Sequence, residues 1–418
     1  MKIICAECSQ EARNNAAVFA PCACGGLMQV EHDYAGYDVE ELKHRFDERL
    51  RDRMSPYASG VWRYKELIAP ELEDTSIVTK YEGNTPLYDA NEPLLQYAGI
   101  KHLQFKAQSQ NPSGSFKDNG MTAAVSHGHS LGYRHFACSS TGNTSASLAM
   151  YAGWIGAEAH VYVPGNDIAM NKVLQTLAYG AHVYPFEGTY DDGILYLERE
   201  ADSLGYYVCN SINPLRIEGQ KSIIYEIAHQ LAWKLPDWII VPGGALSNAT
   251  ALGKGLMDLY SLGFIHHLPR IAIIQAEGAS PFHKFMHDQG NPHGTLQPEE
   301  HPYTIASALN IGNPPSWRKA MRYIQQCNGI TASVSDEEIM NAKAIIDASG
   351  IGCEPASAAT LAGLRQLVEN QWIHPEERAV CVLTGHMLKD THAIESYHLS
   401  STCKNPFANP LQPIHLSI

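Results

Sequence analysis

Lys117 lies in a segment whose residue types favour covalent chemistry. It follows Phe116 and several small residues in the sequence NPSGSFKDNG, which spans Asn111–Gly120, and we expect a helix to follow it. Most lysines are solvated and charged. A lysine that is held in a partly apolar site can lose its proton and attack an aldehyde. We therefore predict that Lys117 is the nucleophile of a functional site.

A glycine-rich turn, Pro242–Asn248, separates a predicted strand from a predicted helix. Backbone N–H groups converge at a helix N-terminus, where the helix dipole favours an anion. The turn matches neither the Walker A loop nor the GxGxxG fingerprint. We predict that it holds a phosphate, and the alternative is a tight turn that only caps the helix. The predicted phosphate residues are Gly243, Gly244, Ala245, Leu246, Ser247 and Asn248.

A second polar turn repeats this design at Ser139–Thr144, where hydroxyl side chains and Gly142 precede a helix of small residues. Ser140, Thr141 and the nearby backbone N–H groups suit a substrate carboxylate. The alternative is a well-capped helix without a ligand. A further turn, Leu383–His386, also follows a strand, so the sequence places several polar turns where ligands gather in open α/β sheets.

Four cysteines cluster near the N-terminus, as the pairs Cys5/Cys8 and Cys22/Cys24, and Gly25 and Gly26 follow the second pair. Zinc prefers four such ligands in a tetrahedron, and a site filled by protein leaves no position for a substrate. We therefore predict a structural zinc knuckle outside the active site. Only one residue separates the second pair, which departs from a standard ribbon, and a knuckle that folds without metal is the alternative.

Short apolar runs alternate with helical segments in two blocks of the chain. The predicted strands are His135–Ser140, Ala159–Pro164, His182–Phe186, Asp237–Pro242, Arg270–Glu277 and Ala379–Thr384, and Tyr206–Asn210 closes the first block. The predicted helices are Thr144–Gly156, Asp167–Ala178, Tyr190–Leu204, Ser247–Leu262, Asp336–Ser349 and Pro355–Glu369. This alternation predicts α/β lobes with parallel sheets, helices on both faces and a cleft between the lobes.

Composition and charge exclude several classes of protein. The 418 residues carry a net charge of -14 that is spread along the chain, which argues against a nucleic-acid surface. The sequence contains no run of about 18 apolar residues, so we expect no membrane span. The segment Met1–Gln10 does not resemble a signal peptide, and we expect a cytoplasmic protein with reduced thiols.

Several motifs together resemble a known family. The segments EGNTPLY, NPSGSFKDNG and SSTGNTSAS resemble the cofactor region of fold-type II enzymes that use pyridoxal 5'-phosphate (PLP). The segments NSINPLRIEGQKS, GCEPASAATLAGL and VLTGHMLKD, and the leader ending in CACGGL, are similar to the threonine synthase family. The resemblance implies a two-lobed α/β fold with twisted, mostly parallel sheets flanked by helices, plus the small N-terminal knuckle.

The resemblance also implies a division into domains. Residues 1–33 would form a zinc-ribbon-like appendage, and residues 34–120 with 215–399 a large PLP-binding domain. Residues 121–214 would form a small domain, and residues 400–418 a C-terminal arm. From the fold class we expect a homodimer.

Roles for individual residues follow from the same resemblance. Lys117 would bind the cofactor covalently and move protons, Asn143 would bind its phenolic oxygen and Thr384 its pyridine nitrogen. The turn at Gly243–Asn248 would bind the cofactor phosphate. The residues expected to bind substrate are Ser140, Thr141, Thr144, Asn210, Ser211 and Arg216. The last three align with a site for the substrate phosphate, where the planar fork of arginine reaches two oxygens.

The activity implied is the conversion of O-phospho-L-homoserine and water to L-threonine and phosphate. Three positions depart from the family pattern, namely Ala245 and Ser247 in the phosphate turn and Met387 after Gly385. They leave alternatives open: a cysteate synthase-like enzyme acting on O-phosphoserine, a dehydratase-type elimination, or a paralogue without catalysis. Arg216 favours a phosphorylated amino acid over a hydroxylated one.

Overall fold

The computed structural model describes residues 1–12, 20–165, 170–287, 294–400 and 405–412. Within these residues the chain forms twelve strands and fifteen α-helices. The strands are β1 (Lys2–Cys5), β2 (Met28–Glu31), β3 (Leu87–Asp89), β4 (His102–Ala107), β5 (His135–Ser139), β6 (Glu158–Pro164), β7 (His182–Phe186), β8 (Tyr206–Val208), β9 (Trp238–Pro242), β10 (Arg270–Ala276), β11 (Ile330–Val334) and β12 (Arg378–Leu383).

The helices belong to segments that connect or follow the strands. They are α1 (Val39–Arg49), α2 (Lys65–Ile68), α3 (Glu92–Ala98), α4 (Lys117–Ser130), α5 (Asn143–Trp154), α6 (Met170–Ala178), α7 (Tyr190–Leu204), α8 (Pro214–Gln220), α9 (Ser222–Gln230), α10 (Ser247–Leu262), α11 (Pro281–His287), α12 (Trp317–Gln326), α13 (Asp336–Ala348), α14 (Pro355–Glu369) and α15 (Thr391–Leu399). No described helix is both long and apolar enough to cross a bilayer.

The strands of the described residues form three sheets. The largest has the strand order β11-β10-β9-β12-β4-β3, and its strands are parallel except for β3, which pairs antiparallel with β4. A second sheet has the order β7-β6-β5-β8 and is parallel throughout. Helices pack against both larger sheets and bury strands rich in Ile, Val and Ala, as parallel sheets require. The third sheet is the antiparallel pair β1-β2.

The predicted α/β fold class is confirmed, and the elements predicted from periodicity occur within a few residues of their expected limits. Among the strands, the prediction missed β1, β2, β3, β4 and β11, which are short or lack clear turn signals. The helix predicted from Asp167 begins at Met170, and residues 166–169 lie outside the described residues. In the predicted C-terminal arm, residues 405–412 contain no helix or strand. The predicted domain limits stay predictions.

A buried ion pair holds the segment before β3 against the body of the large sheet. The Nζ atom of Lys106, on β4, donates to Glu226 Oε2 at 2.8 Å and to Thr85 O at 2.7 Å. Glu226, on α9, also accepts a hydrogen bond from the backbone N–H of Asn84. Both charged side chains are at most 2% exposed. This pair therefore fixes the segment Glu82–Tyr88, which carries the motif EGNTPLY.

We predict that Lys106→Met strongly destabilises the protein, because it leaves the Glu226 carboxylate buried without its cation. Removing one partner of a buried pair costs about 3–5 kcal/mol. The free energy of unfolding, measured with urea, should fall by that amount. The matched control is Lys101→Met, because Lys101 pairs with Glu376 on the surface and should contribute far less. Equal effects of the two substitutions would contradict the role given to Lys106.

Candidate active site

Lys117 is the first residue of α4, and the turn before it is held by a buried carboxylate. Asp118 accepts hydrogen bonds from Ser113 N at 2.7 Å, from Ser113 Oγ at 2.6 Å and from Ser147 Oγ at 2.5 Å. Gly114 adopts a φ of 83°, a left-handed conformation that favours glycine. Burial raises the pKa of Asp118 to about 6. This carboxylate therefore ties the lysine turn to α5, which carries Ser147.

The same turn is fastened to the end of β12. Phe116 N donates to Thr384 O at 2.9 Å, and His386 N donates to Gly114 O at 2.9 Å. These two backbone hydrogen bonds form a short antiparallel bridge between segments that are far apart in sequence. We call this pair of hydrogen bonds the lysine clamp. It brings the two predicted turns around Lys117 and Thr384 together.

Lys117 has the electrostatic surroundings of a nucleophilic amine. Its pKa is lowered to about 7, chiefly by burial and also by the positive charge of Arg216, while Glu354 acts in the opposite direction. The Nζ atom lies 4.3 Å from the centre of the Phe116 ring, which supplies part of the apolar surroundings. A lysine with such a pKa is substantially neutral near physiological pH, and only the neutral amine attacks an aldehyde.

Glu354 joins two residues that were predicted to contact the cofactor. Asn143 Nδ2 donates to Glu354 Oε2 at 2.9 Å, and Thr384 Oγ1 donates to Glu354 Oε1 at 3.1 Å. Ser357 Oγ lies 3.0 Å from Thr384 Oγ1 and accepts from the Thr384 N–H at 2.8 Å. Burial raises the pKa of Glu354. Asn143, Thr384 and Lys117 therefore all lie close to one buried carboxyl group.

The sequence prediction missed Glu354 as a site residue, although it lies within the motif GCEPASAATLAGL. Glu354 occupies the N-cap position of α14 but makes no capping hydrogen bond, since its side chain is used by Asn143 and Thr384. Glutamate is not a favoured N-cap residue, so its presence before this helix in the sequence is a signal that the side chain has a role other than capping. Lys389 was also missed. Burial lowers its pKa, and Glu354 and Asp118 act on it from nearby.

The glycine-rich turn after β9 has the features of an anion site. Leu246 adopts a left-handed φ of 63° at the N-cap of α10, and no side chain caps this helix. A Cβ atom on Gly244 would lie 2.6 Å from Ala308 O, so the tight path of the turn requires glycine there. Asn248 is buried, and neither polar atom of its side chain has a partner among the described residues. Gly243 N–H donates to Ile274 O and completes the sheet instead.

The second predicted turn begins α5 next to the same site. Gly142 is the N-cap residue of α5, and no side chain caps that helix either. Ser140 and Thr141 are partly exposed, and Thr144 is nearly buried. The contacts of α5 to Asp118 and Glu354 place this N-terminus beside the lysine turn. The hydroxyl groups and the N-terminus of α5 therefore form a second position in the site that could bind an anion.

The three residues predicted to bind a substrate phosphate have different surroundings in the structure. Arg216 is fully buried on α8, donates to Cys209 O at 3.0 Å and acts electrostatically on Lys117. The side-chain amide of Asn210 bonds to the backbone N and O of Ser139, at 3.0 and 2.9 Å, and joins the ends of β8 and β5. Ser211 Oγ is buried without a partner among the described residues. Arg216 thus brings a buried positive charge to the site and Ser211 an unpartnered hydroxyl group, whereas Asn210 positions Ser139.

The four N-terminal cysteines come together as predicted. Cys5 Sγ lies 3.5 Å from Cys24 Sγ, and Cys8 Sγ lies 3.5 Å from Cys24 Sγ and 3.6 Å from Cys22 Sγ. In a tetrahedral zinc site with Zn–S bonds of about 2.3 Å, sulfur atoms lie about 3.8 Å apart. The strand β2 that follows is anchored to the body of the protein, because Val30 O accepts from Lys254 Nζ at 2.5 Å.

The comparisons with known proteins agree with this geometry. Residues 78–385 match the family model described as pyridoxal-phosphate dependent enzyme. The threonine synthase of Methanosarcina acetivorans is 41% identical over 393 residues, which cover 93% of this chain and 92% of that protein. The threonine synthase of Methanocaldococcus jannaschii is 42% identical, with 89% of each chain covered.

The chain belongs to the threonine synthase family of pyridoxal-phosphate-dependent enzymes. A solved structure of threonine synthase from Escherichia coli has the same fold, with a TM-score of 0.71 over 95% of this chain and 91% of that chain. Its sequence identity of 18% supports the fold alone.

The residues of the site fit the PLP cofactor of this family. The buried amine of Lys117 has a lowered pKa, as bond formation with an aldehyde requires. The uncapped N-terminus of α10, the close approach at Gly244 and the unpartnered amide of Asn248 fit a phosphate group. Ala245 and Ser247 are compatible with this use, because the helix N-terminus offers backbone N–H groups rather than side chains. The thioether of Met387 lies beside Gly352, where an added Cβ atom would meet its sulfur at 2.9 Å.

We predict that Lys117 in the cofactor-free protein reacts with acetic anhydride as an amine whose pKa is about 7. A lowered pKa makes the amine neutral above that pH and protonated below it, so the labelling rate should rise through pH 7 and then level off. Competitive labelling, followed by mass spectrometry of the Lys117 peptide, measures this midpoint. Lys101, an exposed lysine, provides the internal reference.

The variant Arg216→Gln tests the cause of this shift. Because the Arg216 charge lowers the pKa of Lys117, its removal should move the midpoint to a higher pH. A Lys117 midpoint near the ordinary lysine value of about 10.4 would contradict this description of the site.

Proposed function

We propose that the protein is a threonine synthase, which converts O-phospho-L-homoserine and water to L-threonine and phosphate. The observation that carries this proposal is the placement of a low-pKa lysine, Lys117, beside the buried cation Arg216. A covalent PLP site needs a neutral amine such as Lys117, and a site for a phosphorylated substrate needs a cation such as Arg216. The identity of 41–42% to relatives named threonine synthase over most of both chains supports the same reaction.

Each part of the cofactor has a corresponding residue in the proposal. Lys117 would hold the cofactor covalently through its aldehyde, Asn143 would bind the phenolic oxygen and Thr384 the pyridine nitrogen. The turn Gly243–Asn248 would hold the cofactor phosphate, chiefly through the backbone N–H groups after Gly243, because the N–H of Gly243 itself is used in the sheet. When bound, the cofactor withdraws electrons from the substrate Cα and so stabilises negative charge that develops there. Glu354 orients the side chains of Asn143 and Thr384.

The substrate carboxylate and phosphate occupy two different ends of the site in this proposal. Ser140, Thr141 and Thr144 at the N-terminus of α5 bind the carboxylate, because an uncapped helix end and hydroxyl groups favour an anion. Arg216 binds the phosphate in a buried position, where a charged hydrogen bond is strong, and the free hydroxyl of Ser211 assists it. Asn210 keeps Ser139 in place rather than contacting the phosphate itself.

Lys117 is the base of the reaction. Its amine would remove the proton from the substrate Cα, which a pKa of about 7 permits near neutral pH. The same amine then removes a proton from Cβ, and the electron pair left on Cβ expels the phosphate from Cγ. One of the two protons is returned to Cγ, and the other is returned to Cα after water has added its hydroxyl group at Cβ and given its proton to the phosphate. Arg216 retains the released phosphate near Cβ, where water adds. Arg216 is fully buried and Lys117 is partly buried, which limits the access of bulk water to the reacting groups.

We also propose the setting in which the protein works. We infer a large PLP-binding domain from residues 34–120 and 215–399, a small domain from residues 121–214, a cytoplasmic location and a homodimer. The nine cysteines that the structure describes are all free, which is consistent with a reducing compartment.

Turnover of O-phosphohomoserine tests the proposed reaction. Phosphate release and amino-acid products are measured with PLP-loaded protein, and we expect equimolar threonine and phosphate. Lys117→Ala should lose at least about 10³-fold in kcat, because it removes both the covalent bond and the base. Lys101→Ala, at an exposed position, should retain full activity.

Two other outcomes would contradict the proposal. Phosphate release without threonine would indicate an elimination enzyme, and turnover of O-phosphoserine with sulfite in place of O-phosphohomoserine would indicate a cysteate synthase-like enzyme. Equal activity of the wild type and Lys117→Ala would remove Lys117 from the mechanism.

We further propose that Cys5, Cys8, Cys22 and Cys24 bind a structural zinc ion. Sulfur separations of 3.5–3.6 Å need only a small expansion to reach the tetrahedral value. The knuckle contacts the body through Val30 and Met28, whose carbonyl oxygens accept from Lys254 and Lys319. Zinc at this site therefore stabilises β1 and β2 on the surface of α10 and α12.

We expect Cys8→Ser to lose zinc without losing catalysis at low temperature. Elemental analysis should show one zinc ion per chain fewer than in the wild type, and the unfolding temperature should fall because metal-binding energy contributes to folding. Cys327→Ser, a buried cysteine outside the knuckle, is the control for a general loss of packing. Unchanged zinc content in Cys8→Ser would refute the knuckle site.

A further inference from the structure

Four side chains of types that can bind a metal lie together on the small parallel sheet. They are near the beginnings of its strands, whereas Ser139 and Ser140 lie at the other end of β5. His135 begins β5 and pairs in register with Glu158, the first residue of β6, and His160 pairs with His182 on β7. Glu158 and His160 are two residues apart on one strand, so their side chains point to the same face. The register therefore places all four side chains on one face of three adjacent strands.

The distances between the ligand atoms match those around a metal ion. His135 Nδ1 lies 3.2 Å from His160 Nε2. Glu158 Oε2 lies 3.5 Å from His135 Nδ1 and 3.4 Å from His160 Nε2. Atoms that bind zinc at about 2.0–2.1 Å in a tetrahedron are about 3.3–3.4 Å apart. The three atoms thus already occupy three corners of a tetrahedron of the required size.

The ring of His160 is fixed in the orientation that a ligand needs. Its Nδ1 lies 3.1 Å from the Tyr184 hydroxyl, and its ring stacks on Tyr206 with centroids 4.6 Å apart. Metal-binding histidines commonly use the second ring nitrogen to donate to such a partner, which leaves the other nitrogen free for the metal. With Nδ1–H donating to Tyr184, His160 Nε2 presents its lone pair to His135 and Glu158.

We propose that His135 Nδ1, His160 Nε2 and the Glu158 carboxylate form a binding site for a divalent transition metal of the zinc type. Imidazole and carboxylate ligands suit such ions. His135 and Glu158 are about half exposed, with side-chain values of 46% and 53%, so the ion enters from solvent and a water molecule completes its coordination. His182, whose Nε2 lies 3.5 Å from the same carboxylate oxygen, flanks that open position.

The position of the site indicates a structural role. Ser139 lies four positions after His135 along β5, a distance of about 13 Å at the usual rise of a strand. An ion there is too far away to contact the reacting atoms. It links β5 and β6 at their first residues, and these strands carry Ser139 and the partner of Ser140 at their other ends. The metal thus stabilises the sheet that positions the N-terminus of α5.

Zinc uptake by the full-length, PLP-loaded protein tests this proposal. Each protein is incubated with excess zinc, freed from unbound metal by gel filtration and analysed for zinc per chain. The wild type should hold about one zinc ion more than the double variant His135→Ala/Glu158→Gln. The readout is this difference, so metal in the cysteine knuckle contributes equally to both and cancels. Both substituted side chains are substantially exposed, which favours correct folding of the variant.

Two single substitutions make the test more specific. Tyr184→Phe keeps every ligand but removes the partner of His160 Nδ1, and it should weaken zinc binding about 10–100-fold in calorimetric titration. His102→Ala, an exposed histidine at the first residue of β4 in the other sheet, should change neither affinity nor stoichiometry. Equal zinc content in the wild type and the double variant would overturn the proposal and leave the cluster as a surface ion-pair group. Loss of zinc in His102→Ala would also contradict the proposal, because it would show that surface histidines take up zinc nonspecifically.

Discussion

The lysine clamp is the constraint on which the rest of the site depends. Two backbone hydrogen bonds join Gly114 and Phe116 to His386 and Thr384, so the start of α4 and the end of β12 share one fixed position. Side-chain interactions act on this frame from other elements: Asp118 ties it to α5, and Glu354 ties it to α14. A buried amine needs such a frame because a small displacement would move it away from its reacting partner.

The buried charged groups around the lysine clamp indicate that this region serves a chemical reaction and not only the stability of the fold. Lys117 and Arg216 repel each other in a buried region, while Glu354 and Asp118 bring acidic groups to the same place. The result is an amine with a pKa of about 7 next to a cation that stays charged. Hydrophobic side chains would pack more easily in these buried positions, so the presence of several charged groups together indicates function.

Much of this arrangement could be predicted from local sequence. Glycine and hydroxyl residues between an apolar run and a helix identified the turns at Gly142 and Gly243, because turn chemistry and helix ends are local properties. The cysteine spacing likewise identified the knuckle. What was missed depends on contacts between distant segments. Glu354 bonds to Asn143 across 211 positions of sequence, and the small parallel sheet brings His135 next to Glu158 only through strand pairing. The hydrogen bonds between the Asn210 amide and the backbone of Ser139 also join segments that are distant in the sequence.

The most direct test of the central claim is to identify the amine that binds PLP. The PLP-loaded protein is reduced with sodium borohydride, digested and analysed by mass spectrometry. Two buried amines in the site have lowered pKa values, Lys117 and Lys389. We expect the reduced cofactor on Lys117, which the lysine clamp holds at the start of α4, and none on Lys389. Reduced cofactor on Lys389, or on neither lysine, would contradict the role of Lys117.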